Sequence, residues 1–290
     1  MTTNPFSIDK SPETPELLAI AEKELRETPE IKAKGLSELR DLLKANSDLY
    51  FSDEDEFLII ILRACHWYPE SAIKMLRQIA EFRRDNWKIL KDLMPEQEKI
   101  PFQEGGVVNV LTTKDHKNRR ILIVHNGKDW DPAVCSADSL FRIFYLIHIM
   151  AQLEKSTQIC GCVCIYDFEG LGMKQIKAMS PGNVQRLLTF IQVAMPLRMK
   201  EIHFVKQPFI FKLVWSLMKP FVGEKLNKRM FFHGNNMKAL HEFIPPENLP
   251  KNYGGTMPEI NYSGKDWYPV CEDNHDFFVK YNTFGFKDKE

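Results

Sequence analysis

The chain has no excess charge of either sign: 39 Lys and Arg balance 39 Asp and Glu over 290 residues. That balance argues against wholesale binding to nucleic acid and turns attention to local clusters. No uninterrupted apolar run reaches the ~20 residues a bilayer span needs. The opening MTTNPFSIDKSPETPELL has no basic stretch followed by an apolar one, so no secretory signal is expected. Thr2 follows Met1 where glycine would be required, and the closing FGFKDKE is no prenylation box, so neither end encodes a lipid anchor. The sequon Asn261-Tyr262-Ser263 is inert without export. Together these absences predict a cytoplasmic protein.

Signatures of chemistry are equally scarce. There is no GxSxG elbow, no Walker A, no HExxH, no paired CxxC and no GxGxxG after a strand. Cys160, Cys162 and Cys164 form a CxCxC run whose thiols would share one face of an extended strand. Zinc would need a fourth ligand and wider pair spacing, so buried thiols in a reducing compartment are expected, with no metal and no cofactor. Asp167 and Glu169 close a strand where α/β sites tend to lie, and are read either as acid/base carboxylates or as the groups that hold the loop. His148 reads as a base or as a core histidine. Cys65 and His66 diverge by ~100° on a helix, which weakens them as a nucleophile pair. The expectation is a protein that is not an enzyme, with a hydrolase using Asp167 or His148 as the rival.

What the chain does have is a stretch from Ile202 to Asn235 that organises the rest. Pro208 to Lys219 is predicted to be a helix, with proline in a first turn where its missing N–H costs nothing. Lys212, Ser216 and Lys219 share one narrow polar stripe, and bulky apolar residues cover roughly two-thirds of the circumference. A surface helix needs an apolar arc of only a little over ~100°. Three readings fit the excess: a buried core helix, a lid over a lipid with its outer face in a membrane, or a protein-docking helix. Arg198, Lys200, Lys206, Lys212, Lys219, Lys225, Lys228 and Arg229 surround it against only Glu201 and Glu224, which suits an anionic membrane surface.

Along the chain, residues 1–14 look disordered, 15–93 form an all-helical domain, and 94–258 form a second domain. Residues 259–290 are read as a C-terminal tail. Two β-rich runs, Val107–Leu111 and Arg120–His125, flank a turn at Lys114–Asn118 and predict a hairpin. Next come a helix from about Asp138 to Glu154, then strands at Ile159–Asp167, Lys200–Val205 and Arg229–His233 with helices between them. That alternation predicts an α/β layer with a mostly parallel sheet. Phe141, Phe144, Tyr145, His148, Ile165, Leu188, Ile191, Phe209, Leu213 and Leu217 are the candidate walls of an elongated apolar cavity, and a solid core is the competing reading.

Several segments in order resemble the CRAL-TRIO lipid-binding proteins: FLIIILRACHWYPESAIKML, IYDFEG, IHFVKQPFIFKLVWSLMKPF, MFFHGN and PPENLPKNYGG. Within that family the chain is most like the animal branch of α-tocopherol transfer protein, cellular retinaldehyde-binding protein and the clavesins. The resemblance implies an N-terminal helical domain followed by an α/β lipid cage with a mobile gate helix, here Pro208 to about Pro220. It also implies that one hydrophobic molecule is exchanged at membranes with help from phosphoinositides. Arg198, Lys200, Lys225 and Arg229 match the basic cleft of the tocopherol branch, while a further cleft arginine is replaced by Cys65. Phe144 and His148 stand where that branch has small hydroxyl residues, so the cargo is left open among tocopherol-, retinoid-, carotenoid- and phospholipid-like molecules.

The resulting expectation is a monomer that binds and transfers a lipid while transiently associated with membranes, without nucleic acid. The rival from another class is a phosphoinositide-recruited adaptor at endosomal or trans-Golgi membranes with a vestigial cavity.

Overall fold

Proline marks the first turn of three of the four N-terminal helices: α1 (Pro15–Leu25), α2 (Pro29–Ala45), α3 (Asp55–Ala64) and α4 (Pro69–Asp85). In this computed structural model, residues 4–287 are described. Thr14 and Thr28 accept the N–H groups of Leu17 and Ile31 at 3.3 and 3.2 Å, caps that contribute about 1 kcal/mol each. The four helices bury Leu39, Leu58, Ile61, Leu62, Ala72 and Leu76 between them.

Arg63 at the end of α3 is buried and ties this bundle to its flanking segments. Its guanidinium donates to Glu27 at 2.6 and 2.8 Å, to Glu13 at 2.9 Å and to Gln158 at 2.7 Å. A short strand, β1 (Leu49–Tyr50), pairs antiparallel with the distant β7 (Gly285–Phe286).

The second part is a five-stranded sheet in the order of the chain: β2 (Val108–Lys114), β3 (Arg120–His125), β4 (Cys162–Asp167), β5 (Met199–Val205) and β6 (Met230–Phe232). β2 and β3 form the expected antiparallel hairpin, and the remaining pairs are parallel. The hairpin turn is fixed by Asp115, whose Oδ1 accepts the N–H groups of Lys117 and Arg119, both at 2.9 Å.

Because side chains alternate along a strand, the sheet has two different faces. Ile121, Ile123, Val163, Ile165 and Val205 pack against Leu240, Ile244, Leu249 and Tyr253. Leu122, Val124, Cys164, Ile202, Phe204 and Met230 belong to the larger core on the other face. The helix Ala137–Ala151 contributes Phe141, Phe144 and Ile149 to that same core.

Four expectations are corrected. The strand expected from Ile159 starts only at Cys162, because Lys155–Cys160 is a helix ended by Gly161 at φ +82°. Cys160 therefore leaves the expected one-faced thiol row. The expected tail after residue 258 instead folds as helices Gly264–Glu272 and His275–Asn282 plus β7, with Tyr268, Phe278 and Tyr281 buried in the core. Residues 1–3 of the expected disordered N-terminus lie outside the described residues, whereas Phe6 packs edge-on against Tyr262 and Trp267. Finally, the helix expected over 208–219 is Phe211–Met218, followed by a single tighter turn, Lys219–Phe221.

Candidate functional site

Two apolar chambers lie between the larger-core face of the sheet and the helices covering it. The outer one, about 110 Å³, runs along the strand ends beneath Phe211–Met218 and is lined by Trp130, Phe141, Tyr166, Phe168, Phe204, Val214 and Met218, among others. The inner one, about 80 Å³, lies toward the strand starts, against Leu122, Cys162, Leu197, Met199, Trp267 and Val270. The Phe144 ring lines both and separates them.

An apolar cavity of roughly 150 Å³ holds a benzene-sized guest, and drug-sized ligands occupy pockets of roughly 300–1,000 Å³. A lipid therefore fits only if the walls give way. Their composition allows it, since Met150, Met195 and Met199 line the inner chamber and Met179, Met218 and Met230 the outer. These are half of the chain's 12 methionines. Thioether chains repack easily. The stretch Phe190–Ala194, which supplies Ile191 to the outer wall, is a π-helical turn, a wide geometry that recurs at functional sites.

Of the ten residues expected to line a cavity, Phe141, Leu188 and Ile191 line the outer chamber, His148 the inner, and Phe144 both. Ile165 lies in the core on the opposite face of the sheet; its neighbour Tyr166 faces the outer chamber instead. Tyr145 lies behind the wall, against Phe190, His148 and Tyr281. Phe209 and Leu213 point away from the chambers, 84% and 41% exposed, and Leu217 lines neither.

The apolar helix is thus rotated from its expected phase. The cause is Phe211, buried with its ring against Phe168 and Phe204, which turns Val214 and Met218 inward. Strand alternation, which puts Tyr166, Ile202, Phe204 and Met230 of three neighbouring strands on one face of the sheet, would have located the outer wall.

A basic cleft adjoins the strand starts. Arg198 immediately precedes β5, Lys200 lies within it, and Arg229 immediately precedes the neighbouring β6. Glu24 of α1 meets Arg198 at 3.2 Å and Lys200 at 2.8 Å. Arg198 Nε and Nη2 are buried without a hydrogen-bond partner among the described residues. Burial, only partly answered by Glu24, pushes the Arg198 pKa down. His66, in the turn between α3 and α4, is likewise lowered by burial and then by Arg198, Lys200 and Lys225, which places these cations around one spot. Lys225 is exposed and Arg229 half-buried, with one guanidinium nitrogen on the Met199 carbonyl. Gly161 lets the chains approach here, since a Cβ on it would stand 2.4 Å from the Arg198 carbonyl oxygen.

The two carboxylates weighed as catalytic are otherwise engaged. Lys206 binds Asp167 at 3.0 Å and Glu169 at 2.9 Å, and Asp167 accepts the Glu169 N–H, so the carboxylates hold their loop. Burial pushes the Cys65 thiol up to about 12, far from a thiolate. Among the described residues no helix is long and apolar enough to cross a membrane.

Comparison with known sequences agrees with this architecture. The CRAL/TRIO domain family matches residues 104–255. Clavesin-1 of Pongo abelii is 31% identical over 282 residues, covering 94% of this chain and 79% of its own. Clavesin-2 of Homo sapiens is 31% identical over 277 residues, covering 94% and 84%. The chain belongs to the CRAL/TRIO family. That membership supports a lipid-binding or transfer role. Among solved structures, that of Sfh5 aligns at a TM-score of 0.49 and 14% identity, covering 91% of this chain and 98% of that one.

Proposed function

We propose that the protein takes one elongated, mostly apolar lipid into the joined chambers and exchanges it at anionic membranes. The Phe211–Met218 helix acts as the gate. The observation that carries this reading is the gate's double allegiance: Val214 and Met218 line the outer chamber, while Leu213 on the helix and Phe209 in the turn leading into it are exposed. Apolar side chains outside are costly in water and favourable in a bilayer interface. Moving the helix into the interface opens the chamber directly behind it.

The basic cleft supplies the address. Cations near an anionic surface contribute about 1 kcal/mol each, and a phosphoinositide head group can satisfy the partnerless donors of Arg198. Strand alternation links cleft and cargo. Leu197 and Met199 line the inner chamber, while the intervening Arg198 and Lys200 reach Glu24 in the cleft. A phosphate that competes with Glu24 for those two cations therefore pulls on the chamber wall. Tocopherol-, retinoid-, carotenoid- and phospholipid-like cargoes are the candidate classes, carried by a cytoplasmic monomer.

The test is transfer of a fluorescent lipid between phosphatidylcholine vesicles with and without a phosphoinositide. Transfer is expected to rise with the phosphoinositide, to fall steeply with added salt, and to fall again in Arg198→Ala and in Lys225→Ala with Arg229→Ala. Transfer indifferent to salt and to all three substitutions contradicts the reading.

A further inference from the structure

The wall of the inner chamber is, at one point, a single side chain thick. Ile8, in the segment that precedes α1, lines this chamber. Ile8 is itself partly exposed, and its neighbours Ser7 and Asp9 are exposed, so solvent stands directly behind it. Two residues earlier, the Phe6 ring packs edge-on against Tyr262 and Trp267, with centroids 5.2 and 5.5 Å away. Trp267 also lines the chamber. Phe6 and Ile8 thus cover the same part of the cage.

Side-chain contacts alone hold this strap in place. Among the described residues, 4–13 make no main-chain hydrogen bond to the rest of the protein. The N–H groups of Phe6 and Ser11 turn instead to Asn4 and Asp9 of the strap itself, at 3.0 and 3.1 Å. The cross-connections are Asp9 to Lys114 of β2 at 3.3 Å, and Lys10 to Asn274 between the C-terminal helices at 2.8 Å. Exposed polar contacts of this kind are weak. Glu13, on Arg63 at 2.9 Å and Lys155 at 3.2 Å, pins the point where the strap enters α1. Residues 4–12 can therefore lift about that point without breaking a ladder or a helix.

We propose that residues 4–12 are a removable plug over a second mouth of the cage, giving the cargo a passage that does not use the gate helix. This rests on the lipid-cage reading and extends it. The Phe211–Met218 helix covers only the outer chamber, and the Phe144 ring stands between that chamber and the inner one. A guest in the inner chamber reaches the gate only by displacing Phe144, whereas lifting Ile8 opens the chamber at its own end. The space behind Ile8 is lined by apolar side chains such as Leu122, Met150 and Val270, so the passage serves a hydrocarbon group rather than a charged head.

The experiment uses the protein's own thiols. Cys162 and Cys271 line the inner chamber, and no cysteine is among the residues lining the outer. Their labelling by methyl methanethiosulfonate, a small neutral thiol reagent, followed peptide by peptide by mass spectrometry, reports the inner mouth. Phe6→Ala with Ile8→Ala is expected to label both at least about tenfold faster than the wild-type protein. Asp9→Lys, which sets a second cation against Lys114, is expected to act in the same direction, and it decides the matter if the double variant fails to fold. Cys164, buried and lining neither chamber, is expected to keep its wild-type rate. Wild-type labelling of Cys162 and Cys271 in both variants overturns the plug, and so does an equal rise at Cys164, the mark of general loosening. In the double variant a preloaded fluorescent lipid is expected to leave faster for neutral phosphatidylcholine vesicles, where the gate has no anionic surface to engage; an unchanged rate overturns the passage. A wild-type protein that takes up no lipid overturns the cage reading, while the labelling result for the plug stands by itself.

Discussion

Replacing Phe209 and Leu213 together by alanine removes the exposed apolar side chains of the gate, Leu213 on the helix and Phe209 in the turn leading into it. Both side chains are exposed, at 84% and 41%, so their loss is expected to change folding stability by no more than about 0.5 kcal/mol. In a bilayer interface the same groups become buried. Full burial of such a side chain contributes roughly 1.5–3 kcal/mol, so the pair is expected to contribute about 2–3 kcal/mol, Leu213 less because it is already half-covered. That corresponds to a loss of roughly 30- to 140-fold in vesicle partitioning. Alanine is preferable to aspartate because a new negative charge would be repelled by the membrane and mimic the effect. Lys212, whose ammonium lies 4.0 Å from the Phe209 ring centroid, is retained, so the electrostatic attraction is unchanged. The assay is sedimentation with vesicles of phosphatidylcholine and an anionic lipid at fixed ionic strength, beside a thermal melt. Unchanged partitioning with an unchanged melt refutes the membrane-facing role. Global unfolding instead would return the helix to the ordinary core.

Three further outcomes depend on particular contacts. Arg63→Met leaves the Glu27 carboxylate buried without its cation, and a drop of about 3–5 kcal/mol in urea-unfolding free energy is expected; a drop below about 1 kcal/mol contradicts the clamp. Burial acts to raise the Glu13 and Glu201 pKa values, but Arg63 for the first, and His203 and Arg119 for the second, hold both at about 2. These carboxyls are depressed in the folded state, so they stabilise it above the ordinary value of 4.5, and that stability is lost as pH falls from there toward about 2. The melting temperature should fall across that window, less steeply in Arg63→Met, and a flat profile contradicts the assignment. Phe144→Ala should cost about 3–5 kcal/mol of unfolding free energy and merge the two chambers into one, raising affinity for bulkier apolar guests; calorimetry and ligand titration check the two parts.

Local grammar exposed most of the architecture in advance. Thr14-Pro15, Thr28-Pro29 and Ser180-Pro181 each pair a capping hydroxyl with a first-turn proline at the start of a helix, and the expected hairpin is set by Asp115 and its neighbours. Charge clustering on a neutral chain showed eight basic residues around the apolar helix, whereas the narrower set Arg198, Lys200, Lys225 and Arg229 came from the family resemblance.

The cavity wall was only partly visible. Which side of Phe211–Met218 turns inward depends on one long-range contact, Phe211 against Phe168, to which helical periodicity is blind. Ile165 and Tyr166 are adjacent on a strand, and only knowledge of what covers each face assigns them. The C-terminal helices, with Trp267 and Val270 on the inner chamber, carry too mixed a pattern to announce a structural role.

Native mass spectrometry of the intact chain after exposure to mixed-lipid vesicles tests the central claim most directly. One lipid per chain, retained through separation from the vesicles, is the predicted result. A protein that emerges only at its own 33.9 kDa mass under all such conditions contradicts it.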